Sequence, residues 1–200
     1  MADDTSSQSV APAGRSAVLG TYAPPEMVLA RGEGSWVEDE AGRRYLDFTS
    51  GIAVTALGHD APVVRRAIET ALERGLVHAS NLFRTRPAEE LAAQLVDASF
   101  PGQVFFCNSG AEANEAALKF ARKRARELGG EAKHEIVAFR GAFHGRLYGS
   151  LAITDRESYQ KPFAPLMPGV RWARIDDLGS VRQVVSKERT AAIVIEPIQG

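Results

Sequence analysis

From residue 104 onward, short apolar runs alternate with helix-like stretches, and this alternation restricts the chain to one class of fold. Val104–Cys107 reads as a strand, Glu112–Leu128 as a helix, Glu135–Phe139 and Val170–Ile175 as strands, Leu178–Lys187 as a helix and Ala191–Ile195 as a strand. Strands that alternate with helices in this way argue for a mostly parallel sheet covered by helices, an α/β fold. The region upstream is different. SWVEDEAGRRYLDF reads as a hairpin, with Glu40-Ala41-Gly42 at its turn. GHDAP then opens a helix at Pro62, where the missing N–H costs nothing, with Val64, Ala67, Ile68, Ala71 and Leu72 at helical spacing. A second helix starts at Pro87, with Leu91, Ala92, Leu95 and Val96 on one face. The expected organisation is a disordered leader over 1–17, part of a small N-terminal α+β domain over 18–60, and the first part of a large domain over 61–200.

The handover from Cys107 to the next helix carries the first candidate site. Asn108, Ser109, Gly110 and Ala111 are small or polar residues at a helix start, where the first N–H groups lack internal partners and the helix dipole favours an anion. Ser109 adds a hydroxyl, and Gly110 and Ala111 permit close approach. The same residues also suit a plain capped helix start. Along the helix, Ala113, Ala116, Ala117, Phe120 and Ala121 form the expected buried stripe, and Glu115 and Lys119 a favourable i, i+4 pair. No Gly-Lys-Ser/Thr follows, so this is not a P-loop, and the glycines at 141, 145 and 149 have the wrong spacing for a dinucleotide fingerprint.

Two further strand ends carry chemistry. Glu135–Phe139 runs into RGAFHGRLYG, which offers a flat aromatic in Phe143, an imidazole in His144 and a carboxylate-binding guanidinium in Arg146. A glycine-rich surface loop is the alternative. Glu196 in VIEPIQG places a carboxylate after the last apolar strand, where it serves either a site or a turn. His59, His78 and His134 lack metal-ligand spacing, and Cys107 suits a small buried hydrophobe.

Charge and composition exclude several classes. A net charge of −1 gives no general attraction to nucleic acid or membrane, and no apolar run approaches the ~20 residues of a membrane span. One cysteine excludes an intrachain disulfide framework and fits a reducing, cytoplasmic setting. The chain stops directly after a core-like strand, so it is expected to be the front part of a longer protein.

Together, the three sites resemble the class III (fold type I) pyridoxal-phosphate aminotransferases. NSGAEANEAALKFAR (108–122) is similar to that family's phosphate loop and following helix, GAFHGR (141–146) to its cofactor-stacking loop, and VIEPIQG (194–200) to the strand bearing its mobile glutamate. GHDAP and the SNLF stretch at 80–83 fit less specifically, and the likeness covers roughly residues 18–200. YQKPFAPLMPGV (159–170) is similar to the acetylornithine aminotransferase branch. The resemblance implies pyridoxal 5'-phosphate as cofactor and a homodimer with active sites near the subunit boundary. Ser109, Gly110 and Ala111 would hold the phosphate, Phe143 would stack on the ring, and Arg146 would grip the amino donor's carboxylate. Glu196 would help the site alternate between donor and 2-oxoglutarate, and His144 would support the loop. Leu147 departs from the threonine often found there, which puts a local hydrogen bond in doubt. No catalytic residue falls within the segment. The family's Schiff-base lysine and the aspartate that pairs with the pyridine nitrogen are expected beyond residue 200, and none of Lys119, Lys123, Lys133, Lys161 or Lys187 matches the lysine motif.

The implied reaction moves the terminal amine of N2-acetylornithine to 2-oxoglutarate, giving N-acetylglutamate semialdehyde and glutamate, a step of arginine biosynthesis. Other ω-amino donors (ornithine, succinylornithine, 4-aminobutyrate, a carrier-bound or acetylated lysine) are alternatives, as are a same-fold aminomutase and an inactive truncated chain.

Overall fold

The computed structural model describes residues 17–22, 25–80 and 82–200. Most of the expected leader therefore lies outside the described residues, as does Asn81 of the SNLF stretch. The chain forms two compact units, one up to Thr85 and one from Arg86 to Gly200. The expected change of domain lay near residue 60. By contacts, the helix beginning at Pro62 goes with the first unit.

The first unit holds an antiparallel sheet of β1 (Leu29–Glu33), β2 (Trp36–Asp39) and β3 (Arg44–Leu46), in that order. The hairpin forms as expected, with Trp36 opposite Leu46 and Val37 opposite Tyr45. Its turn is held by the buried Asp39 carboxylate, which accepts from Ala41 N, Arg43 N, Arg43 Nε and Tyr45 Oη at 2.8–3.0 Å. Gly42 sits at φ +77°, a conformation open to glycine at little cost. Next come a four-residue turn, α1 (Ser50–Ala53), and then α2 (Pro62–Glu73). Asp47 accepts from Thr49 N, Thr49 Oγ1 and Ser50 N and contacts His59 Nε2 at 2.8 Å. The Thr49 hydroxyl and the His59 ring hold the Asp47 carboxyl well below the usual carboxylate range.

The second unit contains α3 (Arg86–Asp97), α4 (Gly110–Gly129), β4 (Glu135–Phe139), α5 (Tyr148–Ala152), α6 (Glu157–Gln160), β5 (Val170–Ala173), α7 (Leu178–Val184) and β6 (Thr190–Ile193). The strands form a parallel sheet in the order β5-β4-β6. All five residues of β4 are buried, as a central strand covered on both faces requires. Ile136 and Ala138 pack on one face with Leu118 of α4 and Ile153, while Val137 and Phe139 pack on the other with Ala173, Val181 and Val184. At the start of β4 the buried Glu135 carboxylate accepts from Arg171 at 2.7 Å and Arg189 at 3.2 Å, and the Arg171 hydrogen bond holds its carboxyl below the ordinary range.

Four expectations are corrected. Cys107 is exposed rather than a small buried hydrophobe, since the segment that carries it joins no sheet. Val104–Cys107 forms no strand, because it does not join the β5-β4-β6 ladder and a strand exists only through a bonded neighbour. The face of α4 turned to the sheet carries Leu118 and Ala125, whereas Ala113, Ala117 and Phe120 are exposed. The Phe120 ring meets Phe105 edge-on at 5.7 Å. Glu115 does not pair with Lys119. Its carboxylate instead crosses to the backbone of Ser150 at 2.7 Å.

Candidate active site

The parallel strands end at one edge of the sheet, and the segments leaving that edge carry the chemistry. From β4 the chain enters Arg140–Leu147. From β6 it continues through Val194, whose N–H donates to Val137 O at 2.8 Å, and reaches Glu196. The start of α4 meets them there. Ser109, Gly110, Ala111, Asn114, Phe143, His144, Gly145 and Arg146 are among the residues that line a single concavity of about 540 Å³.

The seat at the start of α4 is a well-formed helix N-terminus. Ser109 is the N-cap, extended at φ −154° and ψ 160°, and its Oγ accepts from Glu112 N at 3.2 Å. Glu112 reaches back to Asn108 N at 2.6 Å, an arrangement close to a capping box. Capping and anion binding are therefore compatible here. The Ser109 oxygen uses a lone pair on Glu112 N, which leaves its O–H as a donor. Gly110 and Ala111 occupy the first two helical positions, whose N–H groups have no carbonyl one turn back. A Cβ built on Gly110 would meet no atom within 4 Å, so this backbone faces open space rather than a packed neighbour.

The loop from Gly141 to Leu147 is fixed by its backbone. Gly141 N donates to Asp155 Oδ2 at 2.8 Å, and Phe143 N donates to Glu196 Oε2 at 2.9 Å. His144 N donates to the buried Thr154 hydroxyl at 2.8 Å, and the single proton of that hydroxyl is shared between the carbonyls of Ser150 at 2.9 Å and Gly145 at 3.0 Å. Asn114 Nδ2 donates to His144 O at 2.7 Å, tying the loop to α4. At Gly145, with φ +123°, an added Cβ would lie 2.7 Å from Ala111 Cβ. The loop thus lies directly on the helix start, in a backbone conformation that L side chains rarely adopt.

This geometry brings Ser109, Gly110, Ala111, Phe143 and Arg146 to one concavity, with Phe143 left 46% exposed at its wall. Glu196 is joined to the set through the Phe143 amide rather than as a lining residue. His144 is 8% exposed, and its Nε2 has no hydrogen-bond partner among the described residues. Burial pushes the imidazole below its ordinary value, against the opposing charge of Glu196. Sequence reasoning missed Asn114, Ser150, Thr154 and Asp155. Each acts through a contact between segments distant in sequence, and no local pattern marks that.

The open helix N-terminus, the hydroxyl donor and the exposed aromatic face on one concavity fit a phosphorylated planar heterocycle. Among the described residues no group of three or more His, Cys, Asp or Glu could hold a metal ion, and no helix is long and apolar enough to cross a membrane.

Residues 20–200 match the model of the aminotransferase class-III family. The chain is 48% identical over 187 residues to the mitochondrial acetylornithine aminotransferase of Debaryomyces hansenii, covering 90% of this chain and 40% of that protein. It is 46% identical over 179 residues to the succinylornithine transaminase of Salmonella paratyphi B, covering 90% and 43%. Among solved structures, an ornithine aminotransferase from Toxoplasma gondii with partial occupancy of PLP at its active site superposes with a TM-score of 0.83 at 29% identity, over 92% of this chain and 43% of the other. The chain spans less than half the length of the curated relatives it matches.

Proposed function

Because the chain belongs to the class-III aminotransferases, we propose that the concavity at the start of α4 binds pyridoxal 5'-phosphate, and that the protein containing this chain moves the terminal amine of N2-acetylornithine to 2-oxoglutarate. The observation that carries this reading is the junction of seat and ring wall. Helix-start amides and Phe143 line one space, the loop lies close on the helix start at Gly145 and Ala111, and Asn114 ties it there through His144 O.

Each residue has a physical role in this reading. Gly110 and Ala111 donate backbone N–H groups to the phosphate, and Ser109 adds its O–H. Phe143 offers its face to the ring and excludes water from it. When bound, the cofactor supplies a ring that draws electrons from the carbon carrying the amine. Arg146 holds the donor's carboxylate through its planar fork of N–H groups. Glu196, which accepts from the Phe143 amide, couples the ring wall to the strand that follows β6. The lysine and aspartate needed for proton transfer and ring activation we place beyond residue 200. We further propose a homodimer, as the family resemblance implies, and a cytoplasmic setting, which the single cysteine fits.

N2-succinylornithine is a second donor favoured by a specific observation, the 46% identity to a succinylornithine transaminase. The deciding experiment uses the full-length protein. A structure with the cofactor bound is expected to put its phosphate on the amides of Gly110 and Ala111, and a phosphate bound elsewhere would overturn the seat. Turnover of both donors at equal concentration, with and without 2-oxoglutarate, then ranks the substrates. Turnover that does not need the keto acid would favour an aminomutase.

A further inference from the structure

The short helix α5 has no capping side chain at its N-cap position, although Ser150 Oγ in its first turn accepts from Leu147 N at 3.0 Å. Its N-cap is Leu147, which has no side-chain oxygen, and such positions strongly prefer Ser, Thr, Asp or Asn. The N–H groups of its first turn are orphans unless another segment supplies an acceptor. Glu115 supplies one. Its Oε1 accepts from Ser150 N at 2.7 Å, across 35 residues of sequence. The surroundings are shaped for that carboxylate, since a Cβ on the buried Gly149 would lie 2.6 Å from Glu115 Oε2.

The neighbouring residue acts at the other end of the same loop. Asn114 Nδ2 donates to His144 O at 2.7 Å. Two consecutive residues in the second turn of α4 therefore hold His144 and Ser150, which bracket Arg146. The N-cap and first turn of the same helix carry Ser109, Gly110 and Ala111.

We propose that Glu115 is a positioning residue that caps α5 from α4 in place of the side chain Leu147 lacks, and so fixes the Phe143–Arg146 loop against the cofactor seat. The effect on the cofactor rests on the reading of the concavity given above. The cap itself rests only on the Glu115–Ser150 geometry. A carboxylate accepting from a backbone amide is a charge-assisted bond, stronger than the neutral bonds elsewhere in the loop.

The test compares the full-length protein with Glu115→Ala, Glu115→Gln and the double variant Glu115→Ala/Leu147→Thr. Two quantities are read: hydrogen exchange at the Ser150 amide, and the dissociation constant for pyridoxal 5'-phosphate by fluorescence titration. Glu115→Ala is expected to speed Ser150 exchange and to weaken cofactor binding by about tenfold each. Glu115→Gln stays within about threefold of the parent, because its amide oxygen still accepts. Leu147→Thr in the alanine background recovers most of both losses, since its hydroxyl caps the freed amide locally. Unchanged Ser150 exchange in Glu115→Ala overturns the proposal, as does a loss that Leu147→Thr leaves unrepaired. A parent protein without affinity for the cofactor overturns the reading of the concavity instead, and Ser150 exchange still decides the cap. Should Glu115→Ala not fold, Glu115→Asp, which withdraws the carboxylate by one methylene, carries the same comparison.

Discussion

The amide of Phe143 donates to the carboxylate of Glu196 at 2.9 Å, joining two strand ends that lie 53 residues apart in the chain. The bond makes the orientation of an aromatic face depend on an acid in another segment. A hydrogen bond to a charged acceptor contributes about 1.5–3 kcal/mol. Glu196→Ala is therefore expected to raise hydrogen exchange at Phe143 at least about tenfold, with Glu196→Gln intermediate. Equal exchange in the parent and the alanine variant would remove Glu196 from the support of the ring wall.

Gly145 is where the loop touches the helix start. Alanine there combines φ +123° with a Cβ 2.7 Å from Ala111 Cβ. Gly145→Ala is expected to lose about 2 kcal/mol or more of stability and to retain cofactor poorly. Denaturant unfolding and dialysis against cofactor-free buffer check the two parts.

Gly110 gives the opposite pairing of effects. A Cβ there meets nothing within 4 Å, so Gly110→Val is expected to change folding stability by no more than about 0.5 kcal/mol. The added bulk stands at the proposed phosphate seat, so the dissociation constant for pyridoxal 5'-phosphate is expected to rise at least about tenfold. Parent-like retention would count directly against the seat.

For Arg146, the expectation is a change in substrate binding. Arg146→Ala is expected to raise the donor's KM by about tenfold or more while the cofactor stays bound, and Arg146→Lys to recover only part, because a point charge does not reproduce the fork. Steady-state kinetics at varied donor concentration read this out, and an unchanged KM defeats the role.

His144 gives the fold a pH dependence. Burial lowers its pKa in the folded protein, so between that value and the ordinary value of about 6.5 the unfolded chain binds a proton that the folded one does not. Stability therefore falls as the pH drops through about 6.5 and levels off below the folded pKa. Urea midpoints at several pH values should show a shallower slope over this window in His144→Gln than in the parent.

The sequence made the frame legible where local pattern and tertiary environment agree. Glu135–Phe139 was readable because Ile136–Phe139 is an unbroken apolar run, as a strand buried on both faces shows. The start of α4 was readable because a cap is a local event. Val104–Cys107 has strand-like residues without a strand, since pairing is not a property of one segment. The alanines of α4 misled about its buried face. Alanine fits a core or a surface equally well, and Leu118 with Ala125 marks the side that meets the sheet. Glu115 also had an eligible local partner in Lys119, yet its role comes from a segment 35 residues away.

The bracket formed by Asn114 and Glu115 has a mechanical consequence. Anchor and cover ride on consecutive turns of one rod, so a tilt of α4 carries both together and preserves the gap between them. Substitutions that nudge that rod from its far end should displace the whole pocket while leaving its internal dimensions intact.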